Sequence, residues 1–397
     1  MIGWILLSRS AVASAERALG SDQQGVRDEI GFLTLHQAFS DRLFPGTSVL
    51  HTRLRYALFI PWLILRSEGD ERRLRRDLQT LTGQLRQTGE TGVIGGTIWP
   101  REPAQPATMS YWSAIARWQI LQPRGDGVVL GRRQVLRQLR EFNRAVPAGR
   151  LRIDGEVAWT LDSSPFVTLP EPPAALLRSG QPLDFKLTAE ERGFLRRQLM
   201  SVRREDGSQS LLGRLAERAT PTAGISAVWH PDICRVADAD DRRCLLLAGQ
   251  ASALTAIGRA VYSALVEQAK NGDTGENHRT FRDDLLGNFE RHGSEALKLD
   301  VGVLRREFPG LPDLLISVVD QTLAWLRTTR RDLSALYEVY RQSEVSRKGP
   351  RARLGSTVGA RRRRAEWNTE GAPHPRAEPL HYRWGNVRQL LQDLDAA

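Results

Sequence analysis

Apolar residues along this chain recur mostly at three- and four-residue intervals, the spacing of one helical face. Leu74, Leu78, Leu81 and Leu85 form one such stripe, with Arg72, Arg73, Arg75 and Arg76 crowded about its first turn. Trp112, Ile115 and Trp118 define a short aromatic helix, and Val135, Leu136, Leu139 and Phe142 another, whose remaining surface carries Arg132, Arg133, Arg137, Arg140 and Arg144. Further on, Leu247, Ala251, Leu254, Val261 and Leu265 make a long stripe. Leu314, Leu315, Val318, Val319, Thr322, Trp325 and Leu326 make the next, and Leu333, Leu336, Tyr337 and Tyr340 a third. Together these stripes predict a helical bundle. Thr188 followed three residues later by Glu191 is a capping-box signature for a helix over LTAEERGFLRRQLM.

The pattern breaks in three places. The glycines and prolines of TGVIGGTIWPREPAQP enforce a loop, and GVVL after it reads as a short strand. Residues 147–187 carry β-like pieces such as LRIDGEVAWTL, and FVTLPEPPAALL reads as a rigid connector. Between Arg347 and Arg364 there are eight basic residues, no acidic one and four glycines or prolines, a composition that resists a packed core. The expected fold is therefore mainly α with small β elements. An N-terminal helical domain (1–146), a β/Pro-rich connector (147–187) and a helical bundle (188–346) are followed by a basic mobile segment and docked C-terminal helix (347–397).

Composition narrows the class. With 397 residues, 41% of them hydrophobic, the chain is long enough for a substantial core. Two cysteines exclude a disulfide framework, and no secretory signal fits the opening residues, so a cytoplasmic location is expected. The apolar run Tyr56–Leu65 is shorter than the roughly 20 residues of a spanning helix and contains Pro61, so it reads as a buried helix and no membrane partner is expected. Net charge is +11, and the last 51 positions hold 11 basic and 5 acidic residues. That asymmetry points to a polyanionic partner.

No phosphate-loop lysine motif, dinucleotide fingerprint, nucleophile elbow or H-E-x-x-H helix is present, so the chain reads as non-catalytic, with no cofactor expected. Three sets of candidate residues remain. For nucleic acid they are Arg347, Lys348, Arg351, Arg353, Arg361, Arg362, Arg363, Arg364 and Arg383, with Trp367 and Trp384 as stacking faces. Gly46, Thr47 and Ser48, backed by Arg53 and Arg55, could hold a phosphate; the alternative is that Thr47 or Ser48 caps the following helix and the arginines pair with acids. His230, Cys234 and Cys244, with Asp232 or Asp238, are weak metal candidates, because H-x3-C-x9-C lacks a second tight ligand pair.

Several motifs carry a resemblance. IGWI at the start, the F-P-G-T-S-x-x-x-T-R-x-R-Y block from Phe44 to Tyr56, GVIGGTIWP, YWSAIARW and the closing LHYRWGNVRQLLQDL resemble a bacterial family of unknown function. The resemblance implies no catalytic residues. It implies a loose association with multi-gene anti-phage defence clusters, hence an accessory protein that holds DNA or RNA while partner proteins of the defence system supply the chemistry. The other readings are a structural adaptor that binds partner proteins and a metal-dependent enzyme around His230, Cys234 and Cys244.

Overall fold

A computed structural model describes residues 29–124, 127–145, 152–153, 156–157, 164–178, 180–329, 332–367 and 377–396. The IGWI motif lies outside the described residues. The fold is mainly α, as the apolar spacing predicts. Among the described residues, β-structure amounts to an antiparallel ladder of Arg152–Ile153 with Glu156–Val157 and two isolated bridges. The GVVL stretch forms no strand: Val128 and Val129 are about half exposed, and the Val128 carbonyl accepts from the nearby Arg124 N–H in a turn.

Two compact units are present, and each is discontinuous in sequence. One comprises residues up to Phe39 with Ala227–Tyr382; the other comprises Ser40–Ser226 with Arg383–Ala397. These units do not follow the expected linear cuts near 146, 187 and 346. The Pro-rich stretch is not a linker, because it is docked within the second unit. Trp62 Nε1 donates to the Pro170 carbonyl at 2.9 Å, and Gln84 Nε2 donates to the carbonyls of Ala175, Arg178 and Gln181.

The first unit is built on the 36-residue helix Ala239–Thr274, started by the Asp238 side chain, which accepts from the Asp241 N–H, and ended by Gly275 at φ +74°. The helix is buried on most of its circumference, with small residues such as Ala248, Ala251, Ser252, Ala256 and Gly258 along it. Small side chains let neighbours approach closely: a Cβ on Gly258 would lie 2.6 Å from the Phe32 ring. Among the described residues, this helix alone is long and apolar enough to cross a membrane, yet 83% of its most apolar window is buried inside the protein, as in a core helix. Thr280–Ala296, Asp313–Arg327, Ser334–Lys348 and Val358–Ala365 pack around it.

In the second unit, Tyr56–Ser67 is buried almost end to end despite Pro61, and packs on Glu71–Gln87. The capping box is present as predicted: the Glu191 N–H donates to Thr188 Oγ1 and the Thr188 N–H to Glu191 Oε2, at 3.2 and 2.9 Å. The C-terminal helix Trp384–Asp395 buries Val387, Leu390, Leu391 and Leu394 against Ala189–Met200 and Leu211–Glu217.

Candidate nucleic-acid interface

The block from Phe44 to Tyr56 folds as a pinned loop whose polar groups are consumed within the protein. Gly46 sits at φ +82°, and a Cβ there would lie 2.7 Å from Arg117 Cβ, so only glycine fits the turn. Thr47 Oγ1 donates to the Phe44 carbonyl at 2.7 Å, and the Ser48 N–H donates to His51 Nδ1 at 3.1 Å. Tyr111 Oη accepts from the N–H groups of Thr52 and Arg53 and donates to the Arg53 carbonyl at 2.7 Å.

Both arginines are spoken for. Arg53 Nε donates to both Asp393 oxygens at 3.0 Å and Nη1 to Glu90 at 2.8 Å; Arg55 meets Glu191 at 2.7 Å and Asp184 at 3.3 Å. Gly46, Thr47, Ser48, Arg53 and Arg55 therefore do not assemble into a phosphate site, since carboxylates already occupy the positions an anion would take. Neither Thr47 nor Ser48 caps the next helix either. That helix begins at Tyr56, with Arg55 at its N-cap.

His51 is fully buried and its ring stacks on Tyr111. Because Nδ1 accepts the Ser48 N–H, the proton of the neutral ring sits on Nε2 and points at the Ser110 carbonyl, 2.9 Å away. Burial lowers its pKa to about 4, with the Ser110 contact opposing and Arg383 adding slightly. In the folded protein the ring is neutral where the unfolded ring takes a proton, so stability is intact above pH ~6.5 and falls as the pH drops toward 4. Urea midpoints across that range should show a loss of up to about 3 kcal/mol, absent in His51→Asn.

The basic stretch from Arg347 to Arg364 is an ordered part of the first unit rather than a mobile segment. Ser334–Lys348 continues into a single 3₁₀ turn at Gly349–Arg351, and Val358–Ala365 is a helix capped by Thr357. Lys348 and Arg353 both pair with Glu29. Arg364 is 5% exposed; its guanidinium donates to both Asp273 oxygens at 2.7 and 3.0 Å, and to the carbonyls of Arg353 and Gly355. Trp367 is buried against the Phe281 ring, centroids 4.5 Å apart.

In the second unit, Arg383 Nη1 donates to Asp41 at 2.6 Å and to the Thr47 carbonyl at 2.8 Å. Trp384 is buried with its indole N–H on the Ile225 carbonyl at 2.9 Å. Lys348, Arg353, Arg364, Trp367, Arg383 and Trp384 are thus engaged in holding the fold. Arg347, Arg351, Arg361, Arg362 and Arg363 remain on the surface. Arg361 lies 3.8 Å from Asp273, and Arg362 pairs with Glu366 at 2.9 Å.

Residues 9–129 match a family of unknown function (DUF6361). The resemblance to a family of unknown function is shown over that stretch; the opening IGWI and the closing LHYRWGNVRQLLQDL lie outside it. No curated protein and no solved structure matches the chain. The DUF6361 match covers the pinned loop and the helix Glu71–Gln87, but not the basic helix Val358–Ala365.

The metal candidates are not brought together. His230 Nδ1 accepts the Asp232 N–H at 3.3 Å and so starts the helix Pro231–Val236, while Cys234 Sγ faces the Trp229 carbonyl at 3.6 Å. Cys244 is buried in the long helix. Burial raises the Cys234 thiol above its ordinary range, which disfavours the thiolate a metal requires. Among the described residues, no group of three or more His, Cys, Asp or Glu has metal-site geometry.

Proposed function

We propose that this protein binds nucleic acid through the exposed arginines of the helix Val358–Ala365, as an accessory protein whose partner proteins supply the chemistry in the multi-gene setting that the family resemblance implies. The observation that carries this reading is the division of labour among four consecutive arginines. Arg364 turns inward and locks the helix in place, and Arg361, Arg362 and Arg363 are thereby held together on the solvent side. A helix with four arginines and no carboxylate of its own presents a fixed positive surface. The exposed pairs with Asp273 and Glu366 are weak, about 0–1 kcal/mol each, so a phosphate can displace them. Arg351, at the preceding 3₁₀ turn, extends the surface.

Fluorescence anisotropy with labelled DNA over a series of salt concentrations tests the reading. The triple variant R361E/R362E/R363E should bind more weakly and flatten the log–log salt slope for duplex by roughly 2–3 units, since each neutralised phosphate contributes about 0.9. An unchanged slope removes this helix from the interface. No binding by the native protein at low salt removes the reading itself, and would favour the adaptor alternative.

A further inference from the structure

The second unit carries an arginine cluster that the pinned loop and the basic helix leave unused. Helix Glu71–Gln87 holds five arginines and two carboxylates; Arg132–Ala145 holds five arginines and one carboxylate. The turn that leads into Glu71–Gln87 packs on the helix Arg132–Ala145 at Gly69. A Cβ there would lie 2.3 Å from the Leu136 carbonyl and 2.6 Å from the Arg140 N atom, and the Arg140 guanidinium donates to the Gly69 carbonyl.

Beside this junction opens a cleft of about 350 Å³ with Leu74, Leu78, Pro103, Pro106 and Met109 among its walls. That volume is in the range of small-ligand clefts. Arg75, Arg132, Glu71 and Glu102 line it as well, with Arg75 paired to Glu102 at 3.1 Å across two exposed side chains. Met109 is 45% exposed, so part of the apolar wall is open to solvent.

Three features point to one ligand class. Arg132 is half-buried and held below its ordinary range, by burial first and by Arg133 and Arg75 in addition, with Glu71 and Glu102 opposing. Among the described residues, Arg72, Arg76, Arg133 and Arg137 form no ion pair within 4 Å, although Asp70 and Asp77 lie in the field of Arg76, so arginines outnumber carboxylates beside the cleft. Apolar walls with Glu71 as an acceptor suit the flat face and amino edge of a base, while Arg132, and Arg75 once its exposed and therefore weak pair with Glu102 is displaced, suit the phosphates that flank it.

We infer that the cleft between the N-terminal turns of Glu71–Gln87 and Arg132–Ala145 binds single-stranded nucleic acid, taking an unstacked amino-bearing base between its apolar walls. The site rests on the nucleic-acid reading for its ligand class. It is a separate contact, on other residues, and most of it lies within the stretch that matches DUF6361.

The test compares labelled single-stranded oligo-dC, oligo-dT and a mixed-sequence duplex against the full-length protein. R132E/R133E should weaken single-strand binding about tenfold or more at low salt and reduce the salt slope by roughly 1.4, at about 0.7 per phosphate. Ala104 lines the cleft and is exposed, so Ala104→Trp fills it without touching a charge or the core. That variant should lose most of the preference for oligo-dC over oligo-dT and leave duplex binding unchanged. Circular dichroism and the melting temperature of both variants should match the native protein.

Native single-strand affinity in both variants overturns the inference. So does binding of R132E/R133E-sensitive phosphatidylserine vesicles without any binding of oligonucleotide. If R361E/R362E/R363E binds normally while R132E/R133E does not, the helix Val358–Ala365 is excluded and the cleft stands. If only the triple variant loses binding, the cleft is excluded and the helix stands.

Discussion

Replacing Arg55 by alanine should destabilise the second unit by about 3–5 kcal/mol, the cost of leaving one member of a buried ion pair alone. Glu191 is 1% exposed and Arg55 is 4% exposed, and their contact at 2.7 Å joins the loop before Tyr56–Ser67 to the first turn of Ala189–Met200. Without the guanidinium, Glu191 keeps its bond from the Thr188 N–H but loses its counter-charge. Arg55→Lys should recover only part of the loss, because one ammonium cannot reach Glu191 and the carbonyl of Asp184 with the fork geometry of a guanidinium. The double variant R55M/E191M should be far closer to the native protein than Arg55→Ala, because it leaves no unpaired charge. Urea midpoints of the three variants read this directly; equal losses in Arg55→Ala and the double variant would show that packing, not charge, is what the pair supplies.

Glu344→Ala should have an effect of similar size in the first unit, about 3–5 kcal/mol, because several buried donors lose their acceptor together. Glu344 is fully buried and accepts from Tyr262 Oη at 2.6 Å, from the Arg353 N–H at 2.9 Å and from the Leu354 N–H at 2.8 Å. Its removal strands two backbone N–H groups immediately before the helix Val358–Ala365. Glu344→Gln should lose less, about 1–3 kcal/mol, since one oxygen remains an acceptor while the new amide opposes a donor. Hydrogen exchange should show protection lost first over residues 352–365 in Glu344→Ala. Trypsin should then cut there at native-like conditions, and Arg361, Arg362 and Arg363 would lose their fixed placement. Uniform loss of protection across the whole first unit would contradict a local latch.

These two residues also show where reading the chain succeeds and fails. Thr188 and Glu191 announce a capping box by their spacing, and the box is present; that Glu191 doubles as the partner of Arg55, 136 positions away, has no local signal. The basic run 347–364 looks unstructured because its composition carries few apolar groups. It is ordered nonetheless, because Glu344, Asp273 and Glu29 lie outside the run and supply the counter-charges.

Stripes of Leu, Val, Ala and aromatic residues at helical spacing were enough to set a mainly α fold, the helix Glu71–Gln87, the long core helix and the docked C-terminal helix. This holds because burial of one face depends on neighbours three and four positions apart. Which arginines face solvent and which pair with carboxylates was decided by tertiary structure alone. So were the discontinuous units and the cleft beside Arg132. Ion pairs such as Arg53 with Asp393 join residues hundreds of positions apart, and a charge's environment depends on the folded neighbours around it rather than on its place in the chain.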